Sequence, residues 1–153
     1  MIPETEKASL LTAGFGRSEI TPRVGVAMAG FGPYLNRNAR AVESPLYARA
    51  AVLEADRQRV LLVSLDLIGL SRDLEERLRA CLAARSGFPE SAICLACTHT
   101  HSGPQTAGLT GWGHADDLYL ETLPQRVWAA VERALAERLP VTVGMAEVDV
   151  PGL

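Results

Sequence analysis

Three stretches decide the fold class: Arg59-Val60-Leu61-Leu62-Val63-Ser64-Leu65, then Ser71 to Gly87, then Ala92-Ile93-Cys94-Leu95-Ala96-Cys97. Side chains of a strand alternate between faces. Val60 to Val63 is apolar at every position, so this strand is expected at the centre of a sheet with both faces covered. Ser71 is a suitable N-cap for a helix in which Leu74, Leu78, Cys81 and Leu82 recur at helical spacing. Gly87 and Pro89 end that helix. The strand Ala92 to Cys97 completes a β-α-β unit, expected to be parallel and right-handed.

Working outward, Tyr47 to Glu54 reads as a strand joined to Arg59 by Ala55-Asp56-Arg57-Gln58, a connection that suits a hairpin. Gly14 to Ile20 reads as a short strand stopped by Thr21-Pro22. Residues 22 to 45 are rich in Gly, Pro, Asn and Arg and form a long surface loop, of a length often tied to function. On the other side, a Gly-rich loop from Ser102 to Gly113 leads to a helix with the stripe Leu120, Leu123, Val127, Ala130, Val131, Ala134 and Leu135. Pro124 either kinks this helix or sets its start near Thr122. Val141 to Val150 alternates as a last strand, whose apolar face would favour oligomerisation if left open. The order β-ββ-α-β-α-β describes an α/β fold, a mixed β-sheet with flanking helices. Residues 1–12 precede it as an N-terminal extension to a domain spanning 13–153.

At 153 residues the chain is one domain or part of one. With 48% apolar and 22% charged residues it has the composition of a folded globular chain. A net charge of −3 without a basic stripe excludes a nucleic-acid partner. No apolar run approaches the roughly 18 residues of a transmembrane helix. Glu4, Glu6 and Lys7 stand where a secretory signal would be apolar, which points to a cytoplasmic protein, or to a secreted or periplasmic one whose signal has been removed. The three cysteines, Cys81, Cys94 and Cys97, do not suggest a disulfide framework. Cys94 and Cys97 are three apart on a strand and face opposite ways, so they are expected to be core thiols rather than a redox pair.

The candidate chemistry lies in Thr98-His99-Thr100-His101-Ser102-Gly103-Pro104. Functional sites of open α/β sheets gather at the carboxyl ends of strands, which is where this segment begins. If the strand continued, His99 and His101 would share a face and converge on a metal ion, with Thr98 and Thr100 opposite. One histidine alone could ligate while the other served as acid, base or hydrogen-bond donor. The structural alternative is a pair that caps a strand end and bonds to backbone. The H-x-H spacing also occurs in metallo-β-lactamase-like hydrolases, but those continue to Asp and His where Gly103 and Pro104 stand here. Asp66, at the end of the central strand, either orients a histidine or merely terminates the strand. Arg49, inside an apolar strand, either faces a cleft or pairs with Glu54 or Asp66.

The blocks Gly14-Phe15-Gly16-Arg17-Ser18-Glu19-Ile20-Thr21-Pro22, Ala29-Gly30-Phe31-Gly32, Pro45-Leu46-Tyr47-Ala48-Arg49-Ala50, Val63-Ser64-Leu65-Asp66 and Thr98 to Pro104 follow one another in a recognisable order. The chain resembles, from about residue 13 to its end, the N-terminal part of the neutral/alkaline non-lysosomal ceramidase family. The resemblance implies a zinc-dependent amidohydrolase cleaving the N-acyl bond of ceramide or a related lipid amide, with Zn2+ as cofactor. It implies His99 as a zinc ligand, with His101 beside the metal and in contact with substrate or the bound oxyanion. Together with the positional readings above, His101 and Asp66 are the candidate catalytic residues and Arg49 the candidate substrate-binding residue. Family members have a Gly-Val-His-Asp-like run where this chain has Ala41-Val42-Glu43-Ser44. The family's remaining ligands (a second His, a Glu and a Tyr) and its serine nucleophile match nothing here, and His114 does not fit the second ligand. A catalytic zinc takes three protein ligands. The 153 residues are therefore expected to be an incomplete portion of a larger catalytic domain, inactive and weak in zinc affinity by themselves. The alternative is a non-catalytic α/β module, structural or oligomer-forming, whose H-x-H pair is structural or binds metal weakly.

Overall fold

The structure, a computed structural model, describes residues 10–150 and residue 152. Residues 1–9 of the expected extension lie outside the described residues. Strands β1 (Thr12–Glu19), β3 (Tyr47–Ala55), β4 (Gln58–Leu65), β5 (Ile93–Cys97) and β7 (Leu139–Pro140) form one sheet in the order β5-β4-β3-β1-β7. The β4–β5 pair is parallel and the other pairs are antiparallel, so the sheet is mixed as expected. Two short strands, β2 (Met28–Ala29) and β6 (Gly103–Pro104), pair separately and tie the long loop to the segment after β5.

Helix α1 (Arg72–Ser86) begins where Ser71 Oγ accepts from the Leu74 N–H at 3.3 Å and ends at Gly87 with φ 72°. Leu74, Leu78 and Leu82 bury its inner face. Helix α2 (Asp117–Ala136) starts five residues before Thr122, because Asp116 caps it through Oδ1 to the Tyr119 N–H at 2.9 Å. The helix runs through Pro124. Proline offers no N–H to the carbonyl four residues earlier, that of Leu120, yet the helix continues to Ala136.

Both helices cover the same face of the sheet, α2 over β1 and β3 and α1 beside β5. On that face Ala48, Ala50, Val52, Leu61, Val63 and Leu65 are buried against Leu78, Leu123, Val127 and Val131. Helix α2 approaches β1 without intervening side chains. A Cβ on Gly14 would strike the Ala134 carbonyl and one on Gly16 the Ala130 carbonyl. Glycine at both positions is thus the condition for this close packing.

Four expectations need correction. Among the described residues the central strand β4 is covered on one face only: Leu61 and Val63 are buried, whereas Val60 and Leu62 are each 40% exposed. Its apolar outer face continues through Phe15, Ala51 and Cys94 in cross-strand register. Cys94 is accordingly exposed, not a core thiol, while Cys81 and Cys97 are half-buried. Burial pushes the Cys97 thiol pKa up. The β3–β4 turn has only Asp56 and Arg57 between paired Ala55 and Gln58, with Asp56 at φ 51°. Lastly, 141–150 is not a strand. Pairing ends with Leu139–Pro140 on Thr12–Ala13 and one further bond from the Val141 N–H to the Leu11 carbonyl. Beyond that point no described backbone lies alongside, and Val143, Met145 and Val148 are exposed. Alternation specifies a strand only where a partner edge is present.

Candidate functional site

The carboxyl ends of the parallel pair β4 and β5 bring together the segments 66–69 and 98–101. The ladder runs on beyond the strands, with the Thr98 N–H on the Leu65 carbonyl at 2.9 Å and the His99 N–H on the Leu67 carbonyl at 3.0 Å. At His99 the chain leaves the extended conformation: its φ is 61°, in the left-handed region that a non-glycine residue rarely adopts. Strand alternation therefore does not set the directions of the two histidines. They converge nonetheless, with ring centroids 5.1 Å apart in an edge-on arrangement.

The imidazole of His99 is exposed, but its Nδ1 is 2.7 Å from the Ile68 carbonyl oxygen. A carbonyl only accepts, so Nδ1 carries a proton, and it is Nε2 whose lone pair the neutral ring offers. This is the tautomer and orientation of a histidine prepared to ligate a metal through Nε2. Ile68 is itself fixed by the adjoining turn. There the Thr106 hydroxyl donates to the Gly69 carbonyl at 2.6 Å and the Ser71 N–H donates to the Thr106 carbonyl at 2.8 Å. Thr106 and Gln105 are both buried, and Gln105 bonds the Leu109 carbonyl and the Ala107 N–H.

His101 is half-buried, held from the other side by the loop after β2. The ring of Phe31 meets the His101 ring edge-on at 5.4 Å between centroids. Gly30 has φ 110°, and a Cβ there would lie 2.5 Å from His101 Cβ and 2.7 Å from its carbonyl oxygen. The Arg37 guanidinium reaches the same place, with Nη1 donating to the Gly30 carbonyl at 2.9 Å and Nη2 to the His101 carbonyl at 3.4 Å.

Asp66 and Arg49 form a second cluster. Arg49 Nη1 lies 2.8 Å from both carboxylate oxygens of Asp66, and Asp66 Oδ2 accepts the Tyr47 N–H at 2.9 Å. Arg17 and Arg49 both approach the Tyr47 ring, at 4.5 and 5.3 Å from its centroid. The structure thus pairs His99 with His101 and Arg49 with Asp66. The proton on His99 Nδ1 is taken by a backbone carbonyl, not by Asp66. Phe31 lies in the block Ala29 to Gly32 singled out in the sequence, but neither its contact with His101 nor Arg37 was legible there. Loop residues carry no periodic signal, and their convergence depends on the β2–β6 pairing.

Among the described residues, no group of three or more His, Cys, Asp or Glu side chains is placed to hold a metal ion. His99 fits as one zinc donor by its tautomer and exposure. A cleft of about 300 Å³ lies on the reverse side of the same segment, lined by Thr100, Ser102, Pro104, Met28, Val42 and Leu46. No helix among the described residues is long and apolar enough to cross a membrane.

Comparison with solved structures gives a neutral ceramidase from Pseudomonas aeruginosa, with a TM-score of 0.76 and 25% identity, over 88% of this chain and 23% of that one. A second structure, described as ceramidase complexed with C2, matches with a TM-score of 0.75 and 24% identity over 86% of this chain and 22% of that one. The chain therefore spans less than a quarter of the length of these similar proteins. No characterised protein sequence matches it significantly. The family described as neutral/alkaline non-lysosomal ceramidase, N-terminal, matches residues 11–115. That match covers well over half of the chain and includes the strand ends, the histidine pair and the loop that holds them, and this chain belongs to that family.

Proposed function

We propose that the chain supplies one corner of a zinc-dependent amidohydrolase site that cleaves the N-acyl amide bond of ceramide or a related lipid amide. The observation that carries this reading is His99, its Nδ1 proton spent on Ile68 and its Nε2 free. Membership of the ceramidase family and the likeness to the P. aeruginosa enzyme support the substrate class.

In this reading His99 is a zinc ligand through Nε2, and the other ligands come from sequence outside these 153 residues. Bound zinc would supply Lewis acidity, polarising the amide carbonyl. His101, 5.1 Å away between ring centroids, stands beside the metal position and contacts the substrate amide or the charge that develops on its oxygen. Phe31, edge-on to the His101 ring and itself exposed, gives hydrocarbon of the substrate an apolar surface. Arg49 faces substrate, and Asp66 acts through it, fixing the guanidinium with both carboxylate oxygens.

The test uses the full natural polypeptide with its metal content measured alongside turnover of N-acylated sphingoid and simple N-acyl amides. The wild type is expected to carry about one zinc per chain and to hydrolyse the lipid amide. His99→Ala is expected to lose most of the zinc and to slow hydrolysis by about a thousandfold or more. Full zinc occupancy and activity in His99→Ala would remove His99 from the site. Wild-type protein that neither holds zinc nor cleaves any N-acyl amide would leave the non-catalytic module.

A further inference from the structure

The loop after β2 is costly to hold. Phe31, Tyr34 and Asn36 sit at φ 64°, 62° and 47°, all left-handed without being glycine. Such residues persist only where surrounding contacts over-determine them, and they cluster where geometry matters for function. Tyr34 is held through its N–H on the Gly111 carbonyl, and the contacts at Phe31 and Gly30 run to Arg37. Its backbone carbonyl accepts the Met28 N–H at 2.8 Å, which locks the loop to the start of β2. Its side chain turns back across the loop to the Gly30 and His101 carbonyls, and its guanidinium carbon lies 4.8 Å from the Phe31 ring centroid. That is within cation–π range. Among the described residues no carboxylate lies within ion-pair distance of it. The guanidinium is therefore devoted to two carbonyls and one aromatic face.

We propose that Arg37 is the positioning residue of the histidine pair, clamping the Gly30 and His101 backbones together and holding Phe31 edge-on to the His101 ring. This rests on the reading of His99 and His101 as site residues given above. The chain of contacts is continuous: Arg37 on Phe31, Phe31 on His101, His101 on His99, and His99 on the Ile68 carbonyl. Without the clamp, the loop would lose its only bond to the His101 carbonyl among the described residues, and the ring would gain freedom at the reacting centre. A shift of about 1 Å in a positioned group can cost a hundredfold in rate. Lysine cannot replace arginine here, because a single ammonium cannot span two carbonyls while presenting a planar face to Phe31.

The experiment compares Arg37→Ala, Arg37→Lys and wild type in the full natural polypeptide, by steady-state hydrolysis of an N-acyl amide and by NMR of the labelled histidine rings. In Arg37→Ala, kcat is expected to fall about 10- to 100-fold with KM changed less than about threefold. The His101 ring resonances shift and broaden, and zinc content is retained. Arg37→Lys gives no recovery, whereas guanidinium ion, kept well below denaturing concentration, restores part of kcat to Arg37→Ala. Wild-type kcat in Arg37→Ala, or full activity in Arg37→Lys, overturns the proposal, as does an unperturbed His101 ring. If wild type itself cleaves no N-acyl amide, the proposed function fails, while the His101 resonances still decide whether Arg37 positions that ring.

Discussion

His99 Nδ1 lies 2.7 Å from the carbonyl oxygen of Ile68, and the His99 backbone that presents it has φ 61°. Left-handed backbone is tolerated by asparagine and resisted by β-branched residues. Compared in metal-free protein, His99→Val is therefore expected to cost about 1–2 kcal/mol of stability, whereas His99→Asn stays within about 0.5 kcal/mol of wild type. Urea denaturation of the three proteins checks this. Equal stabilities would mean that the turn relaxes out of the left-handed region.

The close approach of α2 to β1 predicts a sharp difference between glycines. Gly16→Ala places a methyl on the Ala130 carbonyl, and helix or strand must move. A loss of about 1–3 kcal/mol is expected. Gly144→Ala meets nothing within 4 Å and should change stability by less than about 0.5 kcal/mol. Thermal unfolding of both variants gives the contrast, and a harmless Gly16→Ala would contradict the packing described.

Tyr119 donates its hydroxyl to the Ile20 carbonyl at 2.8 Å in a buried setting, joining the first turn of α2 to the end of β1. Tyr119→Phe leaves that carbonyl without a partner, at an expected cost of about 1–3 kcal/mol. Burial also pushes the Tyr119 pKa well above its ordinary value of 10.0, in spite of the nearby Arg126. With the folded value raised, the unfolded chain ionises first. Stability contributed by this group is then intact below about pH 10 and declines as pH rises beyond it. Denaturation midpoints between neutral and strongly alkaline pH should fall more steeply for wild type than for Tyr119→Phe.

Asp116 has the opposite sign. The Tyr119 backbone N–H, and then the Arg23 guanidinium at 2.5 Å, hold its carboxyl below the ordinary value of 3.8. Its contribution to stability is full above that value and disappears as pH falls through the lower folded one. Asp116→Asn keeps the cap acceptor but loses the charge. Its stability should fall short of wild type at neutral pH, and the two curves should converge as pH falls through the lowered folded value. A gap that persists in acid would assign the effect to cap geometry alone.

The β-α-β unit was legible in the sequence because each part carried its own local signal. The run Val60 to Val63, the Ser71 cap, the Leu74-Leu78-Leu82 spacing and the Gly87 stop all refer to the chain's immediate neighbourhood. Where the signal was alternation alone, it failed. Residues 141–150 carry the pattern of a strand but find no partner beyond Leu11. The apolar outer residues Val60 and Leu62 promised a second covering layer that is absent from the described structure. Likewise Pro124 left a kink or a helix start near Thr122 open, whereas the Asp116 cap on the Tyr119 N–H starts the helix at Asp117.

By itself the sequence determined that a parallel strand pair would end in His99 and His101, since strand and helix propensities and caps act over a few residues. It also supplied the family resemblance on which the expected chemistry rests. Only the tertiary structure decided how those histidines stand. The left-handed turn at His99, the Ile68 carbonyl that sets its tautomer, and the Arg37 clamp on His101 are contacts between segments from 31 to 64 positions apart. Such contacts follow from sheet register and loop pairing rather than from any residue's local preference.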